Sequence, residues 1–284
     1  MSKAWAVFSE SVRGASHVRS GAPNQDAVRV DVPSSSRRAA LLAVADGHGS
    51  ARCFRSDQGS RLAVDVAIRL SRLFLDDLLG TPTASLKREI EHRLPSLLVR
   101  EWRNEVDEHW RRTPLAVHER EALGLKPEDP APADTPYVAY SSTLLISAVS
   151  NQYVFHLQLG DGEILEVSGK PPQAYAPLPP DPSLIANETT SLCQKDAARL
   201  FRFGFRPIQG VRPSLILVCT DGYSNAFACR DGFLQAGTDF LRLSREMKTR
   251  SLARCLKGWL TESSSSGSGD DVTLAMLIRR PRPT

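Results

Sequence analysis

Five positions in this chain place aspartate at the end of an apolar run, and that pattern points to metal-ion chemistry. Leu41-Leu42-Ala43-Val44-Ala45 closes on Asp46-Gly47-His48-Gly49, and Val154-Phe155-His156-Leu157-Gln158-Leu159 closes on Gly160-Asp161-Gly162. Leu215-Ile216-Leu217-Val218-Cys219 closes on Thr220-Asp221-Gly222. At the opposite end of such runs, Asp26 opens Ala27-Val28-Arg29-Val30, and Asp270-Asp271 open Val272-Thr273-Leu274-Ala275-Met276-Leu277-Ile278. A single Asp-Gly is a common strand-ending turn, so the argument rests on the ordered set. Carboxylates gathered at one place raise one another's pKa unless cations neutralise them. All-oxygen donors favour Mg²⁺, Mn²⁺ or Ca²⁺ over zinc or copper, and no His/Cys cluster at zinc spacing occurs in the sequence. An imidazole beside such ions, as at His48, is suited to protonate a leaving alkoxide.

The elements that must position these groups are strands. Each run has the length and β-branched content of a core strand. In an antiparallel sheet the end of one strand and the start of its neighbour share an edge, so the five acids are expected at one rim. Helices are expected to flank the sheets. Ser56 to Leu79 puts Leu62, Val66, Leu70, Leu73 and Phe74 on one face. Leu86, Ile90, Leu94, Leu97, Leu98, Trp102, Val106 and Trp110 repeat at helical intervals, with Pro95 expected to kink or restart the helix. A third amphipathic element carries Phe240, Leu243, Met247, Leu252, Cys255, Leu256 and Trp259. Thr113 to Pro136 reads as a surface loop, and proline-rich Lys170 to Pro182 opens a long connection up to Pro213. Ser263 to Gly269 reads as a flexible linker.

With 284 residues and 41% hydrophobic content the chain can bury one sizeable core. The candidate acids span both ends, so one domain covering 1–284 is expected. The net charge of +4 comes from 36 lysines and arginines interleaved with 32 acids, which argues against nucleic acid as a partner. The basic Arg242–Arg250 stretch reads as solvated surface. Five cysteines without paired spacing suit reduced thiols and a cytoplasmic location. Residues 1–10 lack a signal-peptide pattern, and no apolar run approaches membrane-spanning length.

Taken in order, Asn24-Gln25-Asp26, Asp46-Gly47-His48-Gly49-Ser50, Ser141-Ser142-Thr143, Leu159-Gly160-Asp161, Thr220-Asp221-Gly222 and Gly269-Asp270-Asp271-Val272-Thr273 resemble the successive motifs of the metal-dependent protein phosphatases of type 2C. The likeness to bacterial-type, single-domain members spans nearly the whole chain. It implies an α+β fold, a four-layer αββα sandwich of two packed antiparallel sheets flanked by helices. It implies hydrolysis of phosphoserine and phosphothreonine in proteins with two or three Mn²⁺ or Mg²⁺ ions. A phosphorylated protein as substrate and a cognate serine/threonine kinase as counterpart follow from the same likeness. Asp46 resembles the carboxylate bridging both metals, and Gly47 the residue lending a backbone carbonyl. Asp221 and Asp270 resemble ligands of the first metal, and Asp26 the acid holding metal-bound water near the second. Asp161 resembles the ligand of a third, weaker metal, and His48 the general acid. A helical or loop insertion is expected at about 81–137, and the family's flap beside the active site corresponds here to about 168–213.

Four positions depart from the family pattern. Gln25 stands where the family has Glu and brings no charge to the second metal. Gly21 stands where an arginine commonly grips the substrate phosphate, leaving His17, Arg13, Arg19 and Arg55 as candidate replacements. Ser141 stands where glycine is usual, and Asp271 completes an Asp270-Asp271 pair where Asp-Asn is usual, a variation compatible with bacterial-type members. These departures motivate a competing reading, a catalytically weak relative that binds phosphoproteins or another partner. Cys193 and Arg199 have the spacing of a cysteine-phosphatase loop, but the intervening residues contain no glycine to aim amides at phosphate. Gly-x-Ser-x-Gly, expected of a serine hydrolase, is absent.

Overall fold

The computed structural model describes residues 4–34, 38–126, 128–179 and 189–280. The strands are β1 (Trp5–Val12), β2 (Ala27–Asp31), β3 (Ala40–Ala45), β4 (Leu144–Val149), β5 (Tyr153–Leu159), β6 (Glu163–Ser168), β7 (Gln173–Tyr175), β8 (Arg202–Pro207), β9 (Leu215–Cys219) and β10 (Val272–Arg279). The helices are α1 (Ala15–Ser20), α2 (Ser56–Asp77), α3 (Thr83–His92), α4 (Leu94–Arg112), α5 (Val117–Ala122), α6 (Thr135–Ala139), α7 (Ala197–Leu200), α8 (Asp221–Ser224), α9 (Arg230–Glu246) and α10 (Thr249–Ser263).

Period-two burial on both faces of the strands generates the layers. One antiparallel sheet runs β1-β10-β9-β6-β7 and the other β2-β3-β4-β5-β8. Along β3, Ala40, Leu42 and Val44 face the other sheet, while Leu41, Ala43 and Ala45 face the helices. Strand β9 does the same, with Ile216 and Val218 turned to the opposing sheet and Leu215, Leu217 and Cys219 turned outward. Helices α2, α3 and α4 cover the β2-β3-β4-β5-β8 sheet, and α9 and α10 cover the other, giving the αββα sandwich. Strand β10 pairs with β1 along its whole length, so the two ends of the described chain lie side by side.

Several sequence expectations change in detail. Leu73 is 61% exposed; the buried stripe of α2 runs instead through Gly59, Ser60, Ala63, Ala67, Ser71 and Phe74. Small side chains there let the helix lie close to the loop before β4, and a Cβ on Gly59 would come within 1.8 Å of the Tyr140 carbonyl oxygen. The second helical stretch breaks at Arg93, with Pro95 in the first turn of α4. The third is two helices, separated at Met247 and Lys248. Residues 113–136 are not merely a loop, because they contain α5 and the start of α6. Residues 264–268 continue as a helical turn rather than a linker, and buried Ser264 donates to the Asp270 carbonyl. Of the expected flap, β7 pairs with β6 and β8 pairs with β5, so its two limbs extend opposite sheets. Residues 180–188 lie outside the described residues. Among the described residues, no helix is long and apolar enough to cross a membrane.

A buried polar clamp joins the sheets at these limbs. His156 on β5 donates through Nε2 to Glu166 on β6 at 3.0 Å, and its Nδ1 bonds Ser147 at 2.8 Å. Glu166 also receives Tyr175 on β7 and Arg206 on β8, which with His156 hold its carboxyl below the usual range against the effect of burial. Removing one partner of a buried charged cluster strands the others. Glu166→Ala is therefore expected to cost about 3–5 kcal/mol in urea denaturation, whereas Arg206→Ala, at a partly exposed site, should cost about 1 kcal/mol or less.

Candidate active site

The rim of the sandwich is assembled by short loops that leave or enter strands. Asp46 and His48 follow β3, Asp161 follows β5, Asp221 opens α8 directly after β9, Asp26 precedes β2, and Asp270 and Asp271 precede β10. Asp46, His48, Gly49, Thr143, Asp161, Thr189, Asp221 and Asp270 line a single cavity of about 290 Å³. Asp26 lies beside them, 5% exposed, near enough to Asp46 for its charge to raise the Asp46 pKa.

Backbone contacts draw these loops together. The Gly47 N–H donates to the Gln25 carbonyl at 3.1 Å, tying the Asp46 turn to the segment before β2. The Thr143 N–H donates to the Asp46 carbonyl at 2.8 Å, while the Asp46 N–H donates to the Thr143 hydroxyl at 2.9 Å. Gly222 lies so close to the last loop that a Cβ would come within 2.0 Å of the Asp271 carbonyl oxygen. No side chain fits such an approach, which gives the Thr220-Asp221-Gly222 sequence a packing reason.

Asp271 is a strut rather than a member of the cavity wall. Its carboxylate accepts the N–H of Gly14 at 2.5 Å and of Gln25 at 2.6 Å, and it pairs with His17 Nδ1 at 2.9 Å. It thus fastens the α1 turn and the approach to Asp26 onto the loop that carries Asp270. Atoms of His17, Asp270 and Asp271 lie within 4.8 Å of one another, an additional acidic cluster beside the cavity.

Electrostatically, this rim suits cations. Burial pushes the Asp26 carboxyl well up, and Asp271 and Asp270 add to it against hydrogen bonds from Thr220 and Thr273. The Asp46 carboxyl is likewise raised well above its usual value by burial, then by Asp26 and Asp221. The pKa of Asp221 is raised by burial and by Asp161. Asp26 accepts the Thr220 hydroxyl on Oδ2 at 2.8 Å, yet among the described residues its buried Oδ1 has no hydrogen-bond partner, and neither has Oδ1 of Asp221. Buried carboxylate oxygens without donors are costly unless something positive binds them. An oxygen-only donor set of this kind fits hard divalent ions. Burial lowers the His48 pKa while Asp161 opposes the shift, and the buried His48 Nε2 also has no partner among the described residues.

The candidate phosphate grips fare differently. His17 is engaged with Asp271, Arg13 donates to the His17 carbonyl at 2.8 Å, and Arg19 is exposed on α1. Arg55 is only 5% exposed and forms a two-pronged pair with Glu119 on α5, Nε and Nη2 each 2.6 Å from a carboxylate oxygen. It also donates to Tyr140 and stands over Trp110, so it braces residues 113–122 against the start of α2. None of the four lines the cavity. Gln25 turns its amide nitrogen to the Ser56 hydroxyl at 2.7 Å.

Unanticipated contributors come from residues 189–191, which return from the flap-like segment. The Thr189 hydroxyl donates to Asp161, Thr190 accepts the Gly160 N–H at 2.8 Å, and Ser191 bonds the Ser141-Ser142 turn. No motif in the sequence marks these three side chains.

The model of the family described as protein phosphatase 2C matches residues 13–261. The chain belongs to the protein phosphatase 2C family. Solved structures carry the same fold at low identity. The Stp1 serine/threonine phosphatase of Staphylococcus aureus is 12% identical, with 98% of this chain and 96% of that one covered and a TM-score of 0.58. The S. agalactiae serine/threonine phosphatase is 16% identical, covering 97% of this chain and 100% of that one, with a TM-score of 0.57. The catalytic domain of the PstP phosphatase, solved in complex with two manganese ions, is 17% identical over 96% of this chain and 97% of that one, with a TM-score of 0.54. No curated protein matches.

For this protein phosphatase 2C family member, the raised carboxyl pKa values carry a signed consequence. A group whose folded pKa is raised adds stability while protonated and loses it as pH rises through that pKa, because the folded state then holds more protons than the unfolded one. Without divalent ions, thermal stability should therefore rise as pH falls from neutral toward the unfolded carboxyl range near 4. At neutral pH, Mg²⁺ or Mn²⁺ at about 100 times its Kd should raise Tm by roughly 5 °C relative to protein in EDTA. Asp221→Asn should remove most of that increment and, in EDTA, should melt no lower than the parent.

Proposed function

We propose that the protein is a metal-dependent serine/threonine phosphatase that hydrolyses phosphate monoesters on proteins. The observation that supports this most is the gathering of Asp46, Asp161, Asp221 and Asp270 around one cavity with His48, together with buried oxygens on Asp26 and Asp221 that have no donor among the described residues. In this reading Asp46, Asp221 and Asp270, with the Gly47 carbonyl, hold two Mn²⁺ or Mg²⁺ ions, Asp26 orders water at the second, and Asp161 serves a weaker third. Such ions, when bound, acidify water and offset the charge of the phosphoryl group under attack.

The chain's own residues supply the rest. Thr143 and Thr220 fix the Asp46 and Asp26 loops by hydrogen bonds, so the carboxylates are ordered before any ligand arrives. His48 supplies the proton to the departing serine or threonine oxygen, which is a poor leaving group unless protonated. Thr189 and Ser191 root the flap-like segment at the cavity, which supports a role for residues 168–213 in receiving the peptide around the phosphorylated residue. We take 1–284 as one catalytic unit, because Asp26 and Asp270 come from its two ends.

A weakly active, phosphoprotein-binding relative is favoured by one specific observation, the lack of any Lys or Arg among the described residues lining the cavity. Hydrolysis of a phosphothreonine peptide with and without Mn²⁺ separates the two readings. We expect metal-dependent release of phosphate, lowered at least about 100-fold by Asp46→Asn or Asp221→Asn with folding retained. Phosphopeptide binding without turnover would establish the binding module instead, and near-parental activity in Asp221→Asn would refute the assigned site.

A further inference from the structure

Behind His48 lies a chain of short polar contacts whose protons can be placed one by one. Ser141 Oγ is 3.1 Å from His48 Nδ1, 2.8 Å from Ser191 Oγ and 3.2 Å from Cys193 Sγ. Ser191 Oγ is 3.0 Å from the Ser142 carbonyl oxygen and receives the Ser142 N–H at 3.1 Å. Ser141, Ser142 and Ser191 are all at most 2% exposed, so water does not complete the network from outside.

A carbonyl oxygen has no proton to give, so the only hydroxyl proton of Ser191 belongs to its contact with Ser142. The contact between Ser191 and Ser141 must then carry the Ser141 proton. With that proton committed, Ser141 Oγ can only accept from the imidazole, and Nδ1 must be the protonated nitrogen. The Cys193 thiol fits the same ordering as a donor to the remaining Ser141 lone pair. Any other arrangement faces lone pair against lone pair in at least one of these contacts, inside a site where an unmet polar pair is costly.

Resting on the phosphatase reading above, we propose that Ser141, oriented by Ser191, is a positioning residue that keeps the His48 proton on Nδ1 and reserves Nε2 for exchange with substrate. During turnover Nε2 first takes up a proton from solvent; as the bond between phosphorus and the leaving oxygen breaks, that proton leaves Nε2 and bonds to the alkoxide, and the ring is left as the neutral Nδ1–H tautomer. That tautomer is the one the serine chain accepts from. That Nε2 has no hydrogen-bond partner among the described residues agrees with this division between the two nitrogens.

The direct test is nitrogen-15 NMR of the imidazoles in the full chain with Mg²⁺, at a pH well above their titration. His48 should show a protonated Nδ1 and a lone-pair Nε2. Ser191→Ala releases the Ser141 proton toward Nδ1 and should bring the Nε2–H tautomer to at least half of the population. Ser141→Ala should also mix the tautomers, and either variant suffices if the other fails to fold. On turnover, Ser141→Ala should lower kcat for a phosphothreonine peptide about tenfold with KM nearly unchanged, and should affect an aryl phosphate by about twofold or less, because only the former leaving group needs the proton. An Nε2–H tautomer in the parent protein, or equal losses on the two substrates, would overturn the assignment. A parent protein with no phosphatase activity would sink the functional reading alone, since the tautomer can be read without turnover.

Discussion

The structure is organised around an unfavourable gathering of like charge. Asp26, Asp46 and Asp221 are raised in pKa by burial and by one another or by neighbouring acids, which is electrostatic energy that the rest of the fold must hold in place. A two-sheet sandwich can do so because its rim is fed by strands that are apolar on both faces and cannot shift register without turning a core face to the wrong side. The loops are then fastened by groups with no freedom to yield. These include the mutual bonds of Asp46 and Thr143, the Gly47 N–H on the Gln25 carbonyl, and the carboxylate of Asp271 across Gly14, Gln25 and His17.

Acidic residues at this rim have two different jobs. Asp271 satisfies backbone donors and gives the cavity its shape, while Asp26 and Asp221 each keep one oxygen with no donor among the described residues. The difference is one of hydrogen-bond supply, and it separates a structural carboxylate from one available to a cation. The same logic extends to the imidazole, where Nδ1 is held by Ser141 and Nε2 has no partner among the described residues. Binding energy invested in this arrangement is recovered when positive charge arrives, the usual trade between stability and function at such sites.

Much of this was legible in the sequence, because apolar runs ending in Asp-Gly state both a strand and its exit. The strand-end placement of the acids and the restart at Pro95 follow from periodicity and turn chemistry, and the two packed sheets follow from the family likeness. What was not legible depended on contacts between distant segments. Leu73 had the hydrophobicity of a core residue but the wrong azimuth, and small residues such as Gly59 and Ala63 took the buried face of α2. Arg55 offered a cation at a suitable distance along the chain, yet Glu119, 64 residues away, claims it. Thr189 and Ser191 carry no motif and gain meaning only from Asp161 and Ser141 across the fold. Ser264, in a run that reads as pliable, is buried because it caps the α1 turn and the Asp270 loop together.

The central claim is that acids from both ends of the chain form one receptor for divalent cations. Anomalous diffraction at the manganese edge, from crystals grown with Mn²⁺, tests it most directly. The account predicts paired peaks within coordination distance of the Asp46 carboxylate, with Asp221 and Asp270 at one of them. An anomalous map with no peak among these three side chains would contradict it.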